Sequence, residues 1–191
     1  VTPTPTVTPT PTVTPTPTVT PTPTVTPTPS PSVTETTTPT PTVTVTPTPP
    51  TADKAAASYS ANVQSKGWMP TVTNGATAGT TGEALRMEAL RLKVASEQYT
   101  GDIQYRAHVQ SIGWMPWTSS ANYIGTVGKG LRIEAFEIKL TGEQASRYSI
   151  RYRAHVQGIG WQSYRTDGAT AGTTGQARRV EAVQISLVPK P

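Results

Sequence analysis

The sequence predicts an all-β domain in which three copies of one unit close around a pseudo-threefold axis, β-prism-like or alternatively a β-trefoil, behind an extended Pro/Thr-rich segment. Three observations predict it. Tryptophans recur 46 and 47 residues apart, at Trp68, Trp114 and Trp161. The segments around them alternate apolar and polar residues with a period of two, the period of a half-buried strand. And one such unit has too little surface to bury to be stable alone, so the copies must share a core. A linear stack of three would leave both ends uncovered.

The 191 residues divide by composition into 1–52 and 53–189. Sixteen of the 20 prolines lie in the first 50 residues, with 23 threonines and one charged side chain, Glu35. Residues 1–24 are four copies of Val-Thr-Pro-Thr-Pro-Thr. Each proline fixes φ near the polyproline II value, removes a donor and pushes the preceding residue out of the helical region. Eight valines are too few to offset the entropy of ordering a core. The expectation is a stalk or linker reaching on the order of 150 Å at about 3.1 Å per residue. Such composition is also that of O-glycosylated stalks, with Thr2, Thr4, Thr6, Thr8, Thr10 and Thr12 as candidate acceptors; a bare linker is the alternative. Val43–Thr46 alternates like a strand that would add to a sheet edge. Both readings place the protein outside the cell. The chain opens at Val1 without a basic-then-apolar leader, so either a leader already removed or a longer parent is expected. No apolar run is long enough to span a membrane, and without cysteine there is no disulfide framework or thiol chemistry.

Self-comparison of 53–189 gives units at about 53–95, 96–141 and 142–189. Tyr59–Gln64 matches Tyr105–Gln110 and Tyr152–Gln157. Gly79-Thr-Thr-Gly82 matches Gly125-Thr-Val-Gly128 and Gly172-Thr-Thr-Gly175. Leu85-Arg-Met-Glu-Ala89 matches Leu131-Arg-Ile-Glu-Ala135 and Arg178-Arg-Val-Glu-Ala182. Within the second strand of a unit the apolar phase flips, from Leu131, Ile133, Ala135 to Phe136, Ile138, Leu140. A flip inside one strand predicts a β-bulge or a passage between layers. Asn74-Gly75 and Asp167-Gly168 are turn formers. Leu140–Tyr152 reads as a hairpin joining one unit to the next.

The string Tyr-Arg-Ala-His-Val-Gln-x-Ile-Gly-Trp, then Ala-Gly-Thr-Thr-Gly, then Leu-Arg-Ile-Glu-Ala resembles the clostridial hydrophobic repeat with its signature tryptophan, the ChW repeat. The resemblance covers 59–187. It implies an accessory module of secreted or surface proteins of Gram-positive anaerobes, extracellular or on the cell surface, engaging polysaccharide, cell-wall polymer or other surface proteins. Three departures make the units chemically unequal. Asn62 stands where His108 and His155 stand, Arg178 replaces Leu85 and Leu131, and Ser119–Tyr123 replaces the Gly-Ala-Thr loop.

Trp68, Trp114 and Trp161, with Trp117 as an extra in the second unit, are candidate platforms for sugar rings, or else fill space between units. Gln64, Gln110 and Gln157, with His108 and His155, lie on the polar phase of their strand. They would line a shallow sugar site or satisfy loop backbone groups. Two histidines make no four-ligand metal cluster, and no metal or other cofactor is expected. Glu88, Glu134 and Glu181 each follow Arg86, Arg132 or Arg179 by two residues, which puts each pair on one face of a strand. That predicts a loop-anchoring ion pair rather than a glycosidase dyad, and no catalytic motif is present.

All 16 basic residues but only 10 of the 11 acidic ones lie in 53–191, which leaves that part of the chain at +6. Such a balance can favour anionic polymers: teichoic acid, acidic polysaccharide or nucleic acid. But the charge is spread through the units rather than clustered and the stalk points outside the cell, so nucleic acid is not expected and a solvated surface is the ordinary reading. The expected function is therefore a non-enzymatic binding module, carbohydrate- or wall-directed or adhesive, displayed on a stalk. The alternative is a structural subunit of an extracellular fibre, a homopolymer formed by non-closing contacts or donated strands.

Overall fold

In the computed structural model, residues 54–191 are described. The expected stalk, its candidate glycosylation threonines and the Val43–Thr46 strand lie outside the described residues. Unit 1 contributes β1 (Ala56–Val63), β2 (Gly67–Trp68), β3 (Val72–Thr73), β4 (Ala78–Gly79) and β5 (Met87–Ala95). Unit 2 contributes β6 (Ile103–Val109), β7 (Gly113–Trp114), β8 (Tyr123–Gly125) and β9 (Ile133–Leu140). A short helix, α1 (Gly142–Arg147), leads into unit 3: β10 (Tyr148–Val156), β11 (Gly160–Trp161), β12 (Arg165–Thr166), β13 (Ala171–Gly172) and β14 (Val180–Pro189). The fold is all-β, in three antiparallel sheets.

Each sheet is built on one long hairpin ladder: β1 with β5, β6 with β9, β10 with β14. The alternation in the sequence sets which side is buried. Tyr59, Ala61 and Val63 face the core from β1, and Tyr105, Ala107 and Val109 from β6. The phase flip is a bulge at the same place in every unit. Asn62 pairs with Ala89 but Val63 with Met87, so Glu88 is the extra residue; Glu134 and Glu181 are extra in the same way. A bulge of this kind lets two residues oppose one and bends the strand.

The sheets are joined in a cycle. The Gly-Thr segments, read from sequence as loop, are short strands that leave their own unit. β8 of unit 2 pairs with β5 of unit 1. β13 of unit 3 pairs with β9 of unit 2. β4 of unit 1 pairs with β14 of unit 3. The exchange runs in one direction and closes after three steps, so no unit ends uncovered.

The bulges make this exchange work. The carbonyl of each bulged glutamate accepts from the neighbour's threonine: Thr126 N to Glu88 O at 2.8 Å, Thr173 N to Glu134 O at 2.8 Å, and Thr80 N to Glu181 O at 3.0 Å. At the crossing only glycine fits. A Cβ on Gly125 would lie 2.3 Å from the Glu88 carbonyl oxygen, and φ there is +91°. Gly79 and Gly172 meet the same contact.

Buried tyrosines bridge units along the same cycle. Ile185 N–H of unit 3 donates to Tyr59 Oη at 3.0 Å. Leu92 N–H of unit 1 donates to Tyr105 Oη at 3.3 Å, and Ile138 N–H of unit 2 to Tyr152 Oη at 3.1 Å. Each phenol then donates to a loop carbonyl of its own unit, Ala76, Asn122 or Ala169. Burial raises all three phenol pKa values, to about 12 for Tyr105 and Tyr152. All three rings belong to the single core cluster.

One expectation is corrected. Leu140–Tyr152 is not a hairpin: Gly142–Arg147 is helical, and β9 and β10 are not a paired ladder. Gly142 turns the chain at φ +63°. Glu-Gln-Ala-Ser-Arg then favours a helical turn, and the Glu143 carboxylate accepts from both Thr100 N–H and its hydroxyl. Those bonds hold the Glu143 pKa below the usual carboxylate value and tie the two inter-unit connections together.

Candidate binding site

The signature tryptophan of each unit sits in a two-residue strand after a tight turn, directly opposite Asn62, His108 or His155. Its ring stands edge-on to the histidine in units 2 and 3, with centroids 5.5 and 5.3 Å apart. Behind the histidine lies the bulged glutamate. His108 Nδ1 is 3.1 Å from Glu134, and His155 Nδ1 is 3.0 Å from Glu181. The same carboxylates take the arginine two residues earlier: Arg86 Nη2 to Glu88 at 2.7 Å, and Arg132 to Glu134 and Arg179 to Glu181 at 2.8 Å. The residues named from sequence as site and as motif thus form one stack of Trp, His, Glu and Arg in units 2 and 3. In unit 1 Asn62 takes the histidine's place. Gln64, Gln110 and Gln157 follow at the turn, where their backbone N–H groups bond the carbonyls of Arg86, Arg132 and Arg179 at 3.0 Å. Arg178, at the position of Leu85 and Leu131, donates to the Gln157 carbonyl at 2.9 Å.

All four tryptophans are half-buried, and each has a cation over its ring. Arg91 lies 4.5 Å from the Trp68 centroid, Arg106 4.7 Å from both Trp114 and Trp117, and Arg153 4.8 Å from Trp161. Such contacts hold a ring and a guanidinium in place by the ring quadrupole, with about 0.5–1 kcal/mol at exposed sites.

The cation comes from different strands. Arg106 and Arg153 sit on the first long strand of their units and bond Glu137 (2.7 Å) and Gln184 (2.9 Å) across the ladder. Those two residues bond a threonine from the neighbouring unit, Thr170 for Glu137 and Thr77 for Gln184. In unit 1 every member of this chain is exchanged. Ser60 replaces the arginine, Arg91 stands across the ladder, and Tyr123 of unit 2 pairs with it instead of a threonine. Tyr123 packs its edge on Trp68 at 5.9 Å and is 48 % exposed.

The exchange opens the outer face of unit 1. Where unit 2 has Gln104, Arg106 and Trp117, and unit 3 has Arg151, Arg153 and Tyr164, unit 1 has Ser58, Ser60 and Thr71. The result is a trough of about 160 Å³ lined by Ser58, Ser60, Thr71, Arg91, Lys93 and Ser120. It adjoins a recess of about 350 Å³ walled by Trp68, Arg91 and residues 120–123. No carboxylate borders either space. Sequence reasoning singled out Trp68 and the Ser119–Tyr123 replacement but missed Arg91 and Lys93. The signal that finds them is the shared shortening at positions 58, 60 and 71.

The family model described as Clostridial hydrophobic W matches residues 62–95, 108–142 and 155–189. No curated relative and no solved structure matches the chain. Among the described residues no helix is long and apolar enough to cross a membrane.

Proposed function

The chain belongs to the Clostridial hydrophobic W family, and from that premise we propose that it is a non-catalytic binding module acting outside the cell of a Gram-positive anaerobe, where it engages a polysaccharide or cell-wall polymer. The observation that carries this reading is the outer face at the join of units 1 and 2. There two cations and several hydroxyls line an open trough, and an exposed tyrosine and a half-buried tryptophan wall the recess beside it. Aromatic surface with a few convergent polar groups suits a hydroxylated ring, whose apolar face stacks while its hydroxyls are bonded. The glutamates do not form an acid–base pair: each occupies the same position in its own unit and is held by its own arginine. A single shallow site binds weakly, and several such domains displayed together raise avidity by a factor on the order of 10² or more.

A glycan array and a pull-down on purified cell walls, both with the full chain, test the proposal. Retention on at least one polymer is expected. A folded protein that binds none of them overturns it. One observation favours assembly as a second reading: Ile112, Tyr123 and Val127 are exposed around a recess of about 560 Å³ in unit 2. Regular fibres in negative stain that vanish when residues 1–50 are deleted would select that reading.

A further inference from the structure

The outer face of unit 1 differs from its two counterparts in charge as well as in shape. In unit 2 the cation on this face is neutralised by Glu137, and Lys139 caps the Trp117 ring at 4.4 Å. In unit 1 Lys93 occupies the position of Lys139, but Thr71 stands where the ring would be. Among the described residues no carboxylate lies within ion-pair distance of Arg91 or Lys93. The two side chains are two residues apart on β5, hence on one face of the strand. Across the ladder from them are Ser58 and Ser60. Ser60 is covered and spends its hydroxyl on the Met69 carbonyl at 2.5 Å, so it forms floor rather than contact. Ser58, whose hydroxyl makes only a long 3.5 Å bond to the Lys93 carbonyl, remains at the wall with Thr71 and Ser120.

We infer that this trough is a single, acid-selective subsite that receives a carboxylated sugar, a uronate residue of an anionic polysaccharide. The inference rests on the polysaccharide reading above and adds the charge and the place. Arg91 is the anchor: its planar fork matches a carboxylate in two parallel bonds, stronger than neutral ones. Its stacking on Trp68 fixes the fork in advance, which reduces the ordering cost on binding. Lys93 adds a second positive charge. Ser58, Thr71 and Ser120 face ring hydroxyls, and Tyr123 supplies the flat surface at the open end. Trp117 and Tyr164 fill the corresponding space in units 2 and 3, so the domain carries one such subsite rather than three.

Calorimetric titration of the full chain with a galacturonic acid oligomer, a neutral galactose oligomer and a glycerol-phosphate oligomer tests this. The acidic sugar is expected to bind at one site per chain, at least tenfold tighter than the neutral one, and more weakly as salt rises. Lys93→Ala should lower affinity several-fold. Thr71→Trp, which rebuilds the unit 2 arrangement without removing a charge, should abolish binding while the thermal midpoint holds. Arg151→Ala on unit 3 should leave binding unchanged. Equal affinity for the acidic and neutral oligomers, or unchanged affinity in both Lys93→Ala and Thr71→Trp, overturns the inference while wall retention preserves the broader reading. Preference for the phosphate oligomer overturns the assignment to a carboxylate. No binding to any glycan or wall polymer removes both.

Discussion

The outer faces of unit 1 and unit 3 stand on the same backbone ladder, yet one presents Ser58, Ser60 and Thr71 where the other presents Arg151, Arg153 and Tyr164. Their inner faces scarcely differ. Both bury a tyrosine whose phenol accepts from the preceding unit in the cycle, both bulge at a glutamate, and both cross a neighbour at a glycine. The contrast separates two kinds of repetition. Residues that close the ring are the same three times because the cycle has three equal joints. Residues on the outside are free to diverge, and the place of greatest divergence is where a recess opens.

Changes that separate these layers should grade steeply. Alkali acts on all three joints at once. The phenols of Tyr59, Tyr105 and Tyr152 have pKa values raised above 10.0 by burial. Their contribution to stability is therefore complete below about pH 10, the unfolded value, and is lost as pH rises towards 12. Urea midpoints should be flat to pH 9 and fall sharply beyond 10, with tyrosinate absorbance from these three rings appearing only on unfolding. Early ionisation of all the tyrosines in the folded state would break the picture of sealed joints.

Next is Gly125→Ala. The added Cβ meets the Glu88 carbonyl at 2.3 Å in a left-handed conformation. A loss on the order of 3 kcal/mol or more is expected in chemical denaturation, whereas Gly128→Ala, whose Cβ would meet nothing within 4 Å, should cost about 1–2 kcal/mol from φ alone. Tyr105→Phe keeps the ring but leaves the buried Leu92 N–H without its acceptor, so about 1–3 kcal/mol should go. Smallest is Arg153→Ala on the outer face. It uncovers Trp161 and Tyr164 and should cost only about 0.5–1 kcal/mol, with iodide quenching of tryptophan fluorescence rising. An outer-face loss as large as that at Gly125 would erase the distinction between layers.

Much of this was legible in the sequence, because repetition and period survive in a single chain. The three units, their strands, the bulge behind the phase flip at Ala135–Phe136 and the i, i+2 pairing of Arg132 with Glu134 all follow from spacing alone. The joints did not. Ala78-Gly79 and Ala171-Gly172 are too short and too rich in small residues to look like strands, and their partners lie in another unit. Tyr105 reads as one more apolar residue of an alternating strand, since nothing local shows that its hydroxyl finds Leu92. The helix at Gly142–Arg147 was missed because glycine beside a polar run signals a turn as readily as a helical one. The trough was hidden for a different reason: it appears only when the three copies are compared for what is missing at 58, 60 and 71.

The one-way donation of short strands also governs how such chains can grow. Each copy gives a strand to one partner and receives a strand from the other, so every seat in the circle is taken. A fourth copy added to either end would find neither giver nor taker. Longer proteins assembled from this module should therefore enlarge by whole triplets, each a sealed bead, with spacer between them.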